Sequence, residues 1–379
     1  MVTLPPSGLL RATVVVWGEP GLMLVELSVV EQRYHTVMEV ISGGVPVVEV
    51  AERYGVSRKT VHAWLRRYRQ EGLSGLADGR TACITTRDSW PPRSKHECDR
   101  RPTIAPPRRP MLIGDIDIHP VTDGTFRASP AYFGAHARPD GHEDLFTRHG
   151  MAWLPIGCFL VRTGDRTILV DAGMGPEMRD DGPRRLLVGG QLLVGLRAVG
   201  VTPPDITDVV CTHLHADHCG WLFDRDAAPV FTHATIWFGA HDWDHFVANP
   251  DVWMFDHIRH GFHAASERGD RLRPVNRNTT IAPGVTLTMT PGHTPGHLSV
   301  VVSSGGRRAL LLGDAIICPV QLDEPTWRSI GDVDPKLAQQ VRERLFRELE
   351  DGTTLGAGAH FPELQFGRVI AGQGRRWFT

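Results

Sequence analysis

The sequence predicts an α/β domain preceded by a small all-α domain, and three observations support this prediction. Over residues 111–379, apolar runs typical of buried strands alternate with helical stretches. Within residues 23–78, helical segments flank a glycine turn. Between these two regions, residues 79–110 follow neither the helix period nor the strand period. We therefore expect two folded domains joined by an irregular linker.

Composition excludes several classes of protein. The 379 residues are 41% hydrophobic and 22% charged, which is typical of globular chains. No apolar run approaches the roughly 20 residues needed to span a bilayer. The six cysteines contain no C-x-x-C pair, which favours a reducing compartment over a disulfide framework. We expect a cytoplasmic protein with no membrane partner, and the sequence leaves its oligomeric state open, a dimer being compatible with it.

Charge is unevenly distributed along the chain. The formal net charge is only -2. Residues 1–110 nevertheless contain 16 Lys and Arg against 11 Asp and Glu, while the remainder contains 25 against 32. A basic N-terminal part followed by an acidic remainder is a mild indication that the N-terminal part contacts nucleic acid.

The segment 23–78 predicts three short helices. An S-x-x-E capping box at residues 28–31 starts the first helix, and Gly43 and Gly44 end it. The apolar spacing within residues 47–51 predicts the second helix. Gly55 then supplies a tight turn, and Ser57 caps the third helix.

The third helix suits docking in the major groove of DNA, because basic residues lie at its N-terminal end. We therefore expect DNA as a partner through residues 28–70. The candidate contacts are Arg58, Lys59, Thr60, His62 and Arg66. The alternative is a helical hairpin whose basic face is simply solvated.

This region resembles the homeodomain-like helix-turn-helix unit at the front of insertion-sequence transposases of the integrase type. The matching stretches are "SVVEQRYHTVMEVISGG" and "EVAERYGVSRKTVHAWLRRYRQEGLSGLAD". Such transposases cut DNA with a downstream acidic triad on an RNase H-like fold, for which this chain has no candidate. Transposase activity is therefore not implied. The resemblance does imply a natural start at Met23, which makes residues 1–22 a non-native leader.

The stretch "VVCTHLHADHCG" is the most informative part of the chain. An apolar run predicts a buried strand, and the loop that leaves it has an H-x-H-x-D-H pattern. The pattern consists of His213, His215, Asp217 and His218. Imidazole and carboxylate groups in this combination suit zinc or a similar divalent metal.

Further candidate ligands follow in order along the chain. His293 lies in a Gly/Pro turn before a strand, and His360 ends a short apolar run in "LGAGAHFP". Asp314 ends the buried apolar strand of "ALLLGDAI", where an unpaired carboxylate would be costly and a metal bridge would explain it. His297 competes with His293 for the same role, but its position favours a structural one.

Residues 111–379 resemble the metallo-β-lactamase superfamily. The resemblance is carried by five motifs that occur in the same order along the chain, "LVDAG", "THLHADH", "PGHTPGH", "GDA" and "AHFP". The resemblance implies an αββα sandwich, with two mixed sheets face to face and helices outside. It also assigns roles to eight residues. His213, His215 and His293 would bind a first metal, Asp217, His218 and His360 a second, Asp314 would bridge the two, and Asp171 would orient a ligand histidine.

The resemblance also implies the chemistry. Two divalent ions, zinc by expectation and Mn, Fe or Co as alternatives, would share a bridging hydroxide. That hydroxide would attack a small-molecule substrate, with Asp217 and Asp314 as the catalytic carboxylates. The segments "PIGCFLVRT", "GDAIICPVQLDEP" and "GRVIAGQGRRWF" look most like the branch of lactonases and organophosphate hydrolases. We therefore expect cleavage of a lactone, ester or phosphotriester.

One residue departs from the lactonase pattern. Some lactonases have a tyrosine three residues after the bridging aspartate, where its hydroxyl helps to polarise the substrate carbonyl. This chain has Ile317 at that position. The aromatic-rich span 221–263 would either line an apolar pocket over the metals or pack as an ordinary helical insertion.

Two other functions compete with hydrolysis of a small molecule. One is a DNA-binding regulator in which the metal domain senses a ligand. The other is a nuclease of the same superfamily, although the additional substrate-gripping domain of such nucleases is not evident in the sequence.

The linker 79–110 suggests a different origin from the domains around it. If the gene is GC-rich, a two-base shift from Gly79 permits the reading "PHRLHHHPRQLAPEVEARM", the continuation that such a transposase would carry. We therefore predict out-of-frame transposase sequence that runs into the start of a hydrolase gene near Met111. Genomic codons that exclude this reading would refute the hypothesis.

Overall fold

The computed structural model describes residues 13–16, 23–26, 29–41, 45–71, 76, 110–147, 149–269, 271–372 and 375–378. The chain divides into two compact units, Met1–Ala105 and Pro106–Thr379. Most of the expected leader 1–22 and nearly all of the expected linker 79–110 lie outside the described residues. The helix-end signals at Ser28, Gly43 and Gly44 also lie outside them.

The first unit contains the three predicted helices. A short antiparallel pair precedes them, formed by β1 (Thr13–Val16) and β2 (Met23–Glu26). The helices are α1 (Val29–Ile41), α2 (Val47–Arg53) and α3 (Arg58–Glu71).

Local chemistry explains why α2 and α3 are separated where they are. Gly55 has a φ of 64°, a left-handed conformation that glycine adopts without steric cost. Ser57 then accepts a hydrogen bond on Oγ from the backbone N–H of Thr60 at 3.1 Å, as an N-cap does. Val61 and Leu65 of α3 are buried against Val37 of α1, so one apolar face holds the helices together.

The second unit consists of two sheets and the helices that cover them. The strands are β3 (Met111–Ile113), β4 (Ile116–Ala128), β5 (Ala152–Thr163), β6 (Arg166–Val170), β7 (Met178–Asp180), β8 (Arg185–Val188), β9 (Asp208–Val210), β10 (Thr235–Gly239), β11 (Leu272–Val275), β12 (Thr279–Ala282), β13 (Val285–Met289), β14 (Leu298–Ser304), β15 (Arg307–Leu311), β16 (Thr354–Ala357), β17 (Val369–Gly372) and β18 (Arg375–Phe378). The helices are α4 (Leu192–Ala198), α5 (Ala216–Cys219), α6 (Ala240–Asp242), α7 (Asp256–Glu267), α8 (Val320–Asp323) and α9 (Pro335–Leu349).

Both large sheets are mixed. The first has the order β11-β10-β9-β6-β5-β4-β8-β7, with β3 paired to β4, and the second has the order β12-β13-β14-β15-β16. In the first sheet β6, β9, β10 and β11 are parallel to one another. In the second, β13 and β15 are both antiparallel to β14, and β16 is parallel to β15. Strands β17 and β18 form a separate antiparallel pair.

The sheets pack face to face with helices on both outer surfaces. Aliphatic side chains of both sheets, such as Val161 and Val300, form one buried cluster between them. Helices α4 and α7 contribute to a cluster on the outer face of the first sheet. Helix α9 covers the second sheet through Leu345 and Phe346. The predicted αββα sandwich is therefore confirmed.

Helix α9 begins as its sequence predicts. The Asp334 side chain accepts hydrogen bonds from the backbone N–H groups of Lys336 and Leu337, and Pro335 occupies the first helical position. None of the helices in the described ranges combines the length and the apolar character needed to cross a membrane.

Candidate metal centre

The candidate ligands lie in loops that follow the carboxyl ends of five strands. Asp171 follows β6, and the H-x-H-x-D-H stretch follows β9, its parallel neighbour. His293, Asp314 and His360 follow β13, β15 and β16, which all run in one direction. Strands that run in one direction end at the same edge of their sheet, so the two stacked sheets bring these loops together.

The first donor group contains three imidazoles. The Nδ1 atom of His215 lies 2.9 Å from Nε2 of His213 and 3.0 Å from Nε2 of His293. Oδ2 of Asp314 lies 3.4 Å from Nε2 of His293 and 3.9 Å from Nε2 of His213. Four donor atoms on three separate loops therefore face a common point.

The second donor group lies on the other side of Asp314. Its other oxygen, Oδ1, is 3.4 Å from Nε2 of His218 and 3.4 Å from Nε2 of His360. Oδ2 of Asp217 is 3.4 Å from Nε2 of His360. One carboxylate thus presents one oxygen to each group of histidines.

Three observations indicate that these atoms fit metal ions. The Nε2 atom of His218 and Oδ1 of Asp314 are buried and have no hydrogen-bond partner among the described residues, which is costly unless something else satisfies them. The ring nitrogens of the first group are about as far apart as ligands of a tetrahedral zinc, which lie about 3.3 Å from each other when each bond is about 2.0 Å. The chemistry of the donors, imidazole with carboxylate, suits the same kind of ion.

Histidine pKa values are shifted in opposite directions in the two donor groups. Burial, reinforced by neighbouring histidines, lowers the pKa of His213 and of His215 well below the ordinary value. These rings are therefore neutral, which is the form that binds metals. Burial alone would lower the pKa of His360 as well, but the carboxylates of Asp314 and Asp217 outweigh it and raise that pKa to about 10.

Asp171 contacts the ring of His218 through Nδ1, the nitrogen that does not face Asp314. The resemblance described above implies such an orienting role for Asp171. Its Oδ2 lies 2.9 Å from Nδ1 of His218, and its Oδ1 accepts a hydrogen bond from the backbone N–H of Thr212. The φ of Asp171 is 62°, a strained conformation that surrounding contacts must hold in place. Because Nδ1 of His218 is occupied, Nε2 is the nitrogen that faces Asp314.

His297 is outside the donor groups. Its Nε2 accepts a hydrogen bond from the backbone N–H of Asp314 at 3.0 Å, and its Nδ1 lies 2.8 Å from the hydroxyl oxygen of Thr290. Burial lowers the pKa of His297 to about 3, with His293 adding to the effect. The ring therefore positions the loop that carries Asp314.

Two buried carboxylates that sequence reasoning missed also position the site. Oδ1 of Asp332 lies 2.8 Å from Nδ1 of His293, and Arg342 lies behind it, with Nη2 3.5 Å from Oδ2. Asp242 accepts hydrogen bonds from the backbone N–H groups of Leu214 and Gly296, so it ties together the two loops that carry the first donor group. Single acidic residues in irregular segments gave no signal in the sequence.

A cavity of about 210 Å³ opens beside the donors, smaller than the roughly 300 Å³ at which typical ligand pockets begin. From the aromatic span 221–263, His245, Phe246, Val252 and Trp253 line it, whereas Phe223 and Phe262 pack in the core. Ile317 is buried away from solvent. The phenol on the cavity wall is instead Tyr132, whose hydroxyl oxygen accepts a hydrogen bond from Ser329.

The DNA-contact candidates occupy one helix of the first unit. Arg58, Lys59, His62 and Arg66 are exposed on α3, whereas Thr60 is half-buried. The Thr60 hydroxyl lies 2.8 Å from Oγ of Ser57 in the helix cap. The basic surface is thus available, while Thr60 is already engaged.

Comparisons with known proteins match both units. Residues 151–357 match the family model described as metallo-beta-lactamase superfamily, and residues 32–82 match that of a helix-turn-helix domain. An N-acyl homoserine lactonase, AiiA of Bacillus thuringiensis subsp. kurstaki, is 27% identical over 206 residues, which is 51% of this chain and 75% of that protein.

Two solved structures share the fold. AidC, described as a dizinc quorum-quenching lactonase in complex with a product, superposes with a TM-score of 0.62 at 22% identity, covering 72% of this chain and 96% of AidC. The hydrolase AbOPH of the beta-lactamase superfamily gives a TM-score of 0.61 at 23% identity, covering 71% and 96%.

The contact between Asp332 and His293 generates a prediction. Replacing Asp332 with Asn removes the charge that orients the His293 ring, so zinc affinity should fall by about tenfold to a hundredfold. Competition with a chromogenic zinc chelator measures this. Asp334→Asn is the matched control, because it removes a nearby carboxylate while asparagine still caps α9. Equal zinc affinity in Asp332→Asn and the control would contradict the prediction.

Proposed function

Because the chain belongs to the metallo-beta-lactamase superfamily, we propose that it is a dinuclear-metal hydrolase of a small lactone, ester or phosphotriester. The observation that carries the proposal is the pair of buried donor groups that face the two oxygens of Asp314. The similarity to an N-acyl homoserine lactonase over half of the chain supports the choice of substrate class.

In this proposal each donor group would hold one ion. His213, His215 and His293 would hold the first, Asp217, His218 and His360 would hold the second, and Asp314, with one oxygen toward each group, would contribute to both. Zinc fits such a set best, and Mn, Fe or Co are alternatives. Such ions, when bound, would supply an activated water nucleophile near neutral pH and electrophilic polarisation of the group under attack.

The protein's own residues would orient the substrate and handle protons. The Asp217 side chain is 13% exposed, against 4% for Asp314, so its carboxylate is the more accessible of the two from the cavity. Burial alone would raise the pKa of Asp217, but His218 and His360 outweigh it and lower that pKa, so the group is ionised and acts as a proton acceptor rather than a donor. Phe246 and Trp253 line the cavity and would pack against an apolar acyl or aryl group while excluding water. Tyr132 offers a phenol on the same wall, from a different chain segment than the position of Ile317.

The decisive test combines metal analysis with an activity screen of the full-length protein. We expect two divalent ions per chain by inductively coupled plasma mass spectrometry, and hydrolysis of at least one member of a panel of lactones, aryl esters and phosphotriesters. His215→Ala and Asp314→Ala should each lower kcat/KM by more than about a hundredfold, because each removes a ligand that acts through the metal.

His260→Ala is the matched control for these variants. His260 is an exposed histidine of α7 that belongs to none of the donor groups, so its loss should leave metal content and rate unchanged. Full activity in protein stripped of metal by a chelator would refute the proposed function.

We also propose that the first unit binds DNA, since it matches a helix-turn-helix domain and exposes basic residues along α3. Exposed lysine and arginine side chains near the start of a recognition helix contact phosphates and base edges. DNA binding by the first unit does not depend on hydrolysis by the second, so either proposal can be correct without the other.

A gel-shift assay with a mixed-sequence duplex tests the DNA proposal. Binding should weaken steeply as salt increases, and the double substitution Arg58→Ala, Lys59→Ala should lower affinity by about tenfold or more and reduce the slope against salt concentration. Lys336→Ala, an exposed lysine of the second unit, should change neither quantity. The absence of salt-sensitive binding would rule out this function.

A further inference from the structure

Two arginines lie on the wall of the cavity that contains the metal donors. Arg179 belongs to β7 and Arg185 to β8, and both line the cavity together with Asp217 and Asp314. Neither residue belongs to the motifs that identify the metal site, and the hydrolytic chemistry proposed above does not use them. Their role therefore needs a separate explanation.

Strand register places both arginines on one face of the sheet. Arg179 pairs with Leu187 across β7 and β8, and Leu187 pairs with Phe126 of β4. Arg185 lies two residues before Leu187 on the same strand, so its side chain points to the same face. All four side chains line the cavity.

One carboxylate serves both guanidinium groups. Asp181 accepts a hydrogen bond on Oδ1 from Nε of Arg179 at 3.0 Å, and on Oδ2 from Nε of Arg185 at 2.5 Å. Within this cluster two positive charges therefore face one negative charge, and the other carboxylate that acts on Arg185, that of Asp217, is a metal ligand in the proposal above. Within the described ranges, no protein acceptor lies within hydrogen-bond distance of the terminal nitrogens of Arg185.

The geometry of this cluster is held in place. The guanidinium of Arg179 lies over the ring of Trp253, 3.8 Å from its centroid, a cation–π contact on the same wall. The Arg185 side chain is only 21% exposed, so water screens its charge less than on an open surface. Burial would lower the pKa of Arg185, but the hydrogen bond to Asp181 outweighs it and raises that pKa, so the group stays charged.

A planar guanidinium with free terminal N–H groups binds carboxylates in a bidentate manner. We propose that Arg185, braced by Asp181 and Arg179, binds a carboxylate on the substrate, so that the preferred substrate is an ester or lactone that carries a carboxylate on its acyl part. This inference rests on the proposed hydrolase function and narrows its substrate class.

Two esters that differ only at the end of the acyl chain test the inference. They are para-nitrophenyl butyrate and mono-para-nitrophenyl succinate, which share a leaving group and a chain length, one ending in methyl and the other in carboxylate. With the metal-loaded, full-length protein, kcat/KM should favour the succinate. Arg185→Met should reduce that preference by about tenfold or more, because charge-assisted hydrogen bonds are lost, and Arg185→Lys should retain part of it.

Arg308→Met is the matched control. Arg308, on β15, forms an ion pair with Glu348, and its side chain is 33% exposed. Its substitution removes the same charge outside the cavity, so the preference for the succinate ester should be unchanged. The preference of the unmodified protein should also fall as ionic strength rises. An equal preference in the unmodified protein and in Arg185→Met would overturn the inference.

A binding experiment separates this inference from the proposed function. Succinamate and butyramide are the corresponding amides, and isothermal titration calorimetry compares their affinities without requiring ester cleavage. If no member of the panel of lactones, aryl esters and phosphotriesters is hydrolysed, the proposed function fails, yet tighter binding of succinamate that is lost in Arg185→Met would still support a carboxylate site. Equal binding of the two amides would overturn the inference.

Discussion

The carboxylate of Asp314 lies in the protein interior, where an isolated charge would be costly, and it faces histidines with both oxygens. Oδ2 faces His293 and Oδ1 faces His360, each at 3.4 Å. For one carboxylate to reach both groups, loops from both sheets must meet at one edge. Strand β9 in the first sheet and strands β13, β15 and β16 in the second run in directions that satisfy this condition. The site therefore depends on how the two sheets stack.

Contacts behind three of the donor histidines fix which ring nitrogen each of these three presents. Nδ1 is engaged by the Asp171 carboxylate in His218, by the Asp332 carboxylate in His293, and by the carbonyl oxygen of Pro155 in His360. Each ring can therefore offer only Nε2 toward Asp314. Such contacts hold ligands in position before any ion binds, which reduces the entropy lost on binding. These buried polar groups would be costly if they were unpaired, and here their contacts orient the histidine rings of the site.

The sequence predicted the fold, the three N-terminal helices and the cap of α9, because each depends on local spacing. It also singled out the donor residues, which cluster in short motifs after apolar runs. It could not identify Asp332, which is 39 residues from His293, or Tyr132 and Arg185, because their positions depend on strand pairing and on loops of no regular period. The aromatic span 221–263 was ambiguous for the same reason, since composition alone does not separate a cavity wall from a core.

The balance of charge links the donor groups to the arginines. Two divalent ions would bring four positive charges, which the carboxylates of Asp171, Asp217 and Asp314 and a hydroxide nucleophile would balance. The arginine cluster, in which two guanidinium groups share the carboxylate of Asp181, then carries the remaining positive charge of the cavity wall, and a carboxylate on the substrate would compensate it. Hydrolysis of an ester or lactone adds a carboxylate, however, and a site that held both carboxylates tightly would retain its product. The partial exposure of Arg179 and Arg185, at 28% and 21%, admits water that screens the outer cation, which allows the acid to leave.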